Sequence, residues 1–311
     1  MATKVLITGG AGYLGSTMCQ HMLDAGYQVT VLDNLMYGQK SLFHLCENPN
    51  FDFIFGDARD EPLVKELVAK ADVLVPLAAV VGAPACDRDP WLAESVSDSI
   101  RLVLKHSTDQ QLIVYPTTNS GYGTKSGEVY CTEETPLEPI SKYGVEKVEL
   151  EAEVLENRNT ITLRLATVFG MSPRLRMDLL VNHFVWSAVS DGTIVIFEKD
   201  FKRNYIHVRD VAECFIHCIE NGDSMVGRPY NAGLDDANLS KEGLALKIKE
   251  YVPGFYIHFA EGGSDPDKRN YIVSNQRLRE AGFEASRSLD QGINELIKGY
   301  RMMVRFPFKN V

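Results

Sequence analysis

Residues 4–15 read KVLITGGAGYLG, and residues 28–34 read QVTVLDN. The first stretch opens on a short apolar run with the β-branched Val5 and Ile7, as in a strand buried on both faces. Gly9, Gly12 and Gly15 follow at three-residue spacing. In YLGSTMCQHMLDAG (13–26), Leu14, Met18, His21/Met22 and Ala25 recur at helical spacing, with Gly26 as the stop. A second apolar run then ends on Asp33. Strand, glycine turn, helix and strand are the setting in which a glycine triplet carries meaning. Gly9 permits the tight turn, Gly12 lets the backbone approach a pyrophosphate, and Gly15 lets the helix pack close to the sheet. The first helical turn, with Tyr13 and Leu14, offers N–H groups and the positive end of the helix dipole to an anion.

These features predict a dinucleotide site. Asp33, with Asn34 beside it, is placed to accept hydrogen bonds from the adenosine ribose hydroxyls. Its carboxylate would repel a 2′-phosphate, and no arginine follows at once, so NAD is expected rather than NADP. Two further strand ends extend the site. FDFIFGD (51–57) delivers Asp57, followed by Ala58, toward the adenine. DVLVPLAA (72–79) delivers Leu77, Ala78 and Ala79, small enough for close backbone approach to the cofactor.

The rest of the composition agrees with an enzyme of small molecules. The chain has 311 residues, 45% of them hydrophobic, enough for a large core or two modest ones. A formal net charge of −10 argues against general nucleic-acid binding, which needs basic patches. No apolar run reaches the roughly 18 residues that span a membrane. The opening lacks the charged region and long apolar run of a secretory signal. The 6 cysteines are scattered without a CxxC, and a reduced, cytoplasmic setting is expected. Cys214, His217 and Cys218 lie in the apolar VAECFIHCI (211–219) and read as helix core, so no metal is expected.

Catalytic candidates come next. LIVYPTTNSGYG (112–123) is an apolar strand ending in polar residues, and parallel sheets place catalysts at such carboxyl ends. SKYGVEKVELEAEVLE (141–156) reads as a helix, with Tyr143 and Lys147 on one face. A phenol with pKa near 10 is a poor base at neutral pH. A nearby ammonium and the positive nicotinamide of NAD⁺ favour the phenolate, and a drop of roughly 3 units corresponds to about 4 kcal/mol. Lys147 is also placed to hold the nicotinamide ribose, and Thr118 to orient a substrate hydroxyl.

Taken together, TGGAGYLG (8–15), LDNL (32–35), GDARD (56–60), LAA (77–79), YPTTNSGYG (115–123), YGVEK (143–147), LRLATVFG (163–170), RNYIHVRDV (203–211) and DPDKR (265–269) resemble the extended short-chain dehydrogenase/reductase family, in its nucleotide-sugar epimerase/dehydratase branch. The resemblance spans nearly the whole chain. It implies NAD as cofactor and Thr118, Tyr143 and Lys147 as the catalytic set. It implies substrate contacts at Asn119 and at Asn182, the latter to the phosphates. It implies diphosphate binding by Arg203 and Arg269, whose planar forks suit phosphate oxygens. Arg174 and Arg176 stand as either substrate-binding or structural.

Departures narrow the chemistry. In 4,6-dehydratases of the family an Asp and a Glu follow the catalytic Thr; here Asn119 and Ser120 follow Thr118, and neither titrates usefully. Ser95 stands where members usually carry Asn near a catalytic water network, and Pro76 where many carry His. Residues 76–86, 116–123, 172–182 and 202–210 most resemble branch members that oxidise C4 of a GDP-heptose and regenerate NAD with a 2-oxo acid. The expected activity is therefore C4 oxidation of a nucleotide sugar by hydride transfer to NAD, on a GDP-heptose. The alternatives are a 4-epimerase of a UDP-, GDP- or dTDP-sugar and, more distantly, a non-catalytic NAD-binding regulator.

The expected architecture is α/β: a Rossmann-like doubly wound parallel sheet over residues 1–170 plus about 206–224, and a smaller α+β substrate-binding domain over 171–205 and 225–311. The last helix, within SLDQGINELI (288–297), starts at Ser288 or Asp290. The resemblance also implies a homodimer through paired helices, one of them residues 143–157. Val145, Val148, Ala152 and Leu155 give that helix an apolar stripe that suits either a partner or the chain's own core.

Overall fold

The computed structural model describes residues 2–125, 130–156, 159–261 and 269–305. Its main sheet has 7 strands: β1 (Lys4–Thr8), β2 (Gln28–Asp33), β3 (Phe51–Phe55), β4 (Val73–Pro76), β5 (Leu112–Thr118), β6 (Thr160–Leu165) and β7 (Arg228–Ala232). The order is β7-β6-β5-β4-β1-β2-β3, and every pairing is parallel. The winding reverses between β1 and β4, which opens a crevice beyond their carboxyl ends.

Strand alternation explains why both faces are covered. Val5 and Ile7 of β1 join Val29, Val31, Val73 and Val75 on one face, under the helices Tyr13–Asp24 and Val208–Glu220. Leu6, Leu32, Leu74 and Ile113 face the other side, against the helices Glu61–Val68 and Ser99–His106. Helix Lys142–Leu155 continues that second layer through Leu150 and Val154. Its expected last residue, Asn157, lies outside the described residues.

A second core gathers Phe169, Val181, Phe184, Ile194, Tyr205, Leu244, Ile293 and Tyr300. It is built from the helices Leu180–Trp186, Lys241–Tyr251 and Leu289–Arg305 and two small sheets. One sheet joins strands Thr167–Phe169, Lys202–His207 and Asn238–Ser240; the other pairs Thr193–Ile196 with Tyr256–Phe259. The last helix begins with a capping box: Gln291 N–H donates to Ser288 Oγ at 3.2 Å, and Ser288 N–H to Gln291 Oε1 at 2.9 Å. Ser288 is therefore the cap, rather than Asp290.

Two expected assignments change. The strand Lys202–His207 does not enter the main sheet; only the helix after it returns there, packing on Tyr13–Asp24. Residues 228–232, assigned from sequence to the substrate part, pair with β6 as the seventh strand. The apolar-polar pattern of RPYNA carries no sign of which sheet it joins, because pairing is decided by where the preceding helix ends.

Candidate active site

The glycine turn lies over the end of β1. Gly9 has φ +73°, and a Cβ there would come within 2.7 Å of the Ala78 backbone, so the turn and the end of β4 touch directly. A Cβ on Gly15 would sit 2.6 Å from Gly10, which fixes how closely the helix approaches the strand. Gly12 caps helix Tyr13–Asp24 with no side-chain hydrogen bond, leaving first-turn N–H groups without an intrahelical acceptor. Asp33, buried at the end of β2, accepts from Ala11 N–H at 2.9 Å and Leu35 N–H at 2.8 Å. Burial raises its carboxyl pKa, opposed by those two N–H groups and by Arg174. An uncapped helix end, a turn of three glycines and one alanine and an acid beside it fit a dinucleotide.

Other residues expected at this subsite are held differently. Asp57 is clamped by Arg59 through contacts of 2.8 and 2.7 Å and accepts from Asn34 Nδ2 at 3.1 Å, so its carboxylate is engaged and its pKa strongly lowered. Arg59 also reaches Ser95 at 3.0 Å, which places Ser95 beside that ion pair. Ala58 packs on the Leu6–Leu32 core, and Leu14 and Leu77 on the Val5–Ile7 core. Leu77 N–H continues the ladder to Thr8 at 2.9 Å.

The helix that carries Tyr143 and Lys147 starts at Ser141, whose Oγ accepts from Gly144 N–H at 3.1 Å. Tyr143, Lys147 and Glu151 follow at four-residue steps along one face. Glu151 is tied to the sheet. It pairs with Arg164 of β6 at 2.6 Å and accepts from Thr117 of β5 at 2.6 Å, with side-chain exposures of 5% and 7% across the ion pair. Arg164 in turn donates to Tyr122 Oη at 3.1 Å, and that hydroxyl donates to Asn231 of β7 at 2.7 Å. Thr118 is the residue after this anchor. Its hydroxyl donates to Ser120 Oγ at 2.8 Å, and Arg269 donates to the same oxygen.

Tyr143 is half-buried at the surface of the Val80–Ala93 cluster, and desolvation there raises its pKa above the ordinary 10.0, against the opposing charges of Lys147 and Arg269. Lys147 by itself thus leaves the phenol protonated, in line with the expectation that the ammonium and the nicotinamide charge act together. The positive charge of oxidised NAD is the remaining contribution. Lys147 is 6% exposed and donates to Tyr115 Oη at 2.9 Å. Neither Tyr115 nor the Glu151–Arg164 pair was singled out by sequence. The alternation of Tyr115 and Thr117 on β5 hints at them only once the facing helix is known.

Several expected substrate contacts separate. Asn119 is 1% exposed, and among the described residues both polar atoms of its amide lack hydrogen-bond partners, leaving them for a ligand or water. Arg203 lies over the Tyr271 ring at 5.6 Å, two residues from Arg269. The rest of the DPDKR motif, residues 265–268, lies outside the described residues. Asn182 is buried; it accepts from Gly170 N–H at 3.0 Å and donates to Tyr13 Oη at 3.3 Å and Arg176 O at 2.9 Å. It joins the substrate segment to the glycine-turn helix. Arg174 lies over the Tyr37 ring at 4.8 Å, and its charge works to lower the Asp33 pKa. Arg176 lies near enough to Tyr143 for the two charges to interact. Among the described residues no cluster of His, Cys, Asp and Glu could hold a metal, and no helix is long and apolar enough to cross a membrane. Cys214 and Cys218 are buried in the core.

A parallel sheet with a glycine turn at its switch point, beside a Tyr-Lys helix, defines a dinucleotide-dependent oxidoreductase. The chain belongs to the NAD-dependent epimerase/dehydratase family, whose model matches residues 5–233, and it is an NAD-dependent enzyme of that extended short-chain dehydrogenase/reductase class. It is 30% identical over 310 residues to the low-salt glycan biosynthesis protein Agl12 of Haloferax volcanii, covering 95% of this chain and 98% of that one. It is 28% identical over 296 residues to UDP-glucose 4-epimerase of Lactobacillus helveticus, covering 85% and 87%. Among solved structures, UDP-glucuronic acid 4-epimerase from Bacillus cereus, in complex with UDP-glucuronic acid and NAD, superposes with a TM-score of 0.84 at 22% identity, covering 97% and 100%.

Proposed function

We propose that the chain oxidises the C4 hydroxyl of a nucleotide sugar and returns the hydride to the opposite face, as a 4-epimerase. The observation that carries the oxidation is the Tyr143–Lys147 pair on a helix anchored beside Thr118 and Ser120. Tyr143, as phenolate, takes the proton from the hydroxyl, and the Thr118 hydroxyl orients it. Lys147 holds the ribose next to the nicotinamide and keeps positive charge near Tyr143. Bound NAD supplies the hydride acceptor. Arg203 and Arg269 hold the diphosphate, and Asn119 a sugar or water oxygen. With Asn119 and Ser120 after Thr118, no acid and base stand ready for water elimination. Relatives named as 4-epimerases of UDP-sugars support return of the hydride.

A second reading has its own support. Residues 76–86, 116–123, 172–182 and 202–210 resemble GDP-heptose 4-dehydrogenases, in which the 4-ketone is released and a 2-oxo acid reoxidises the cofactor. One experiment separates the two. Purified protein is mixed with stoichiometric nucleotide sugar and no external NAD, and the reduced-nicotinamide absorbance is followed. Interconversion of C4 epimers with only a transient rise is expected for the epimerase, with UDP-glucose, UDP-arabinose and UDP-glucuronic acid as probes. A lasting rise with a GDP-heptose, reversed by a 2-oxo acid, would replace it with the dehydrogenase. Silence with all of them would defeat both readings.

We also propose a homodimer. Val145 is 41% exposed, and Val148, Ala152 and Leu155 continue the stripe away from the buried Leu150 and Val154. Val145 and Ala152 are exposed and Val148 and Leu155 half-buried, so this face offers apolar surface to a second copy. Sedimentation should give a dimer that Val145→Glu dissociates; a monomeric parent protein would exclude it.

A further inference from the structure

Lys147 is a long, flexible side chain that must hold its charge at one place beside Tyr143. Four rotatable bonds would let the ammonium wander, at a cost to any interaction that depends on its position. Burial adds a second difficulty, because a desolvated ammonium loses stability unless something accepts its protons. Among the described residues, the side chain to which Lys147 donates a hydrogen bond is that of Tyr115. The phenol oxygen lies 2.9 Å from Nζ, and Nζ lies 4.8 Å from the centre of the ring. Tyr115 is itself immobile. It is 2% exposed in the middle of β5, packed with Ile100, Leu150 and Val154.

The contact joins the sheet to the catalytic helix at a second point. Thr117, two residues along the same strand and on the same face, holds the helix by donating to Glu151. The Glu151 contact sets where the helix backbone lies; the Tyr115 contact sets where the Lys147 charge lies. An ammonium has three donors. One goes to Tyr115, and two remain for the ribose hydroxyls and for the side facing Tyr143. The other groups whose charges act on this pair do not replace Tyr115. Glu146 acts on Lys147 only through space, while Arg269, Arg176 and Cys86 act on Tyr143 from other elements.

We propose that Tyr115 is a positioning residue of the reaction: its phenol oxygen pins the Lys147 ammonium at the place where it supports the Tyr143 phenolate and the cofactor ribose. The inference rests on the assignment of Tyr143 and Lys147 above.

The test is Tyr115→Phe in the full chain, which keeps the ring and removes one oxygen. The readouts are single-turnover hydride transfer as a function of pH and the affinity for NAD. With Lys147 less well held, the phenolate loses support, and the acid limb of the pH profile should move up by about one unit. Below the limb the rate should fall about tenfold and above it recover, with KM for the nucleotide sugar unchanged. NAD affinity should fall, and in a Lys147→Met background Tyr115→Phe should lower it no further. An unmoved acid limb, a rate loss equal at every pH, or an equal loss of NAD affinity with Lys147 absent would each overturn the proposal. A variant that fails to fold would overturn it too, since the hydroxyl would then serve the core. Tyr143→Phe, run alongside, separates the two levels. If that variant stays active, the catalytic assignment fails; if it is inactive while Tyr115→Phe behaves as the parent, only the positioning role fails.

Discussion

Tyr143→Phe should lower single-turnover hydride transfer by about a thousandfold while the protein still retains NAD. The phenol oxygen is the group placed to take the substrate proton, and the ring that packs on Val80, Cys86 and Ala93 is left in place. A titration explains the size of the effect. In the cofactor-free protein the Tyr143 pKa is raised by burial, so the phenolate forms only above the ordinary range. Oxidised NAD adds positive charge, which lowers that pKa and brings the phenolate toward neutral pH. Activity should therefore rise with pH through the Tyr143 pKa of the complex. The phenolate difference absorbance, taken between the parent and Tyr143→Phe, should move to lower pH when oxidised NAD is added and less so with reduced NAD. Full turnover by the variant, or a phenolate signal indifferent to oxidised NAD, would remove Tyr143 from the mechanism.

The second large effect concerns stability. Glu151→Ala leaves Arg164, 7% exposed in its side chain, without its carboxylate between β6 and the catalytic helix. Removing one partner of a buried ion pair costs about 3–5 kcal/mol, and at roughly 2 °C per kcal/mol for a large domain the melting temperature should fall by about 6–10 °C. The double change Glu151→Leu with Arg164→Met removes both charges and should recover much of the loss, because no charge is left buried alone. Calorimetry on the single and double variants checks this. A double variant as unstable as the single one would show that the hydrogen bonds to Thr117 and Tyr122 matter more than the charge. Activity should fall in both, because the Tyr143–Lys147 helix loses its attachment to the strand that carries Thr118.

The cofactor half of the site was largely legible in residues 4–33, because a glycine turn is a local device. Gly9 needs its positive φ and Gly15 its missing side chain for reasons set by the few residues around them. The Tyr143–Lys147 spacing is equally local. Within the chain, Asn182, placed by resemblance at the phosphates, contacts Tyr13; Asp57, placed by its strand end at the adenine, contacts Arg59; and Arg174, open in sequence between substrate and structure, contacts Tyr37. A polar side chain in a motif looks the same in sequence whether it meets a ligand or a neighbour. Which it meets depends on which segments fold against each other.

The same division holds for the chain as a whole. Sequence by itself determined the β1-turn-helix-β2 unit, the acid at its end, the parallel class of the sheet and the helix that carries Tyr143 and Lys147. Periodicity and glycine conformation act over a few residues and survive being read in one dimension. Only the tertiary structure decided that residues 228–232 complete the main sheet, that Glu151 and Arg164 lock the catalytic helix, and that Tyr115 meets Lys147. Those are contacts between residues far apart in the chain. They arise because a sheet covered on both faces must bury whatever polar groups its helices carry inward, and buried polar groups must find one another.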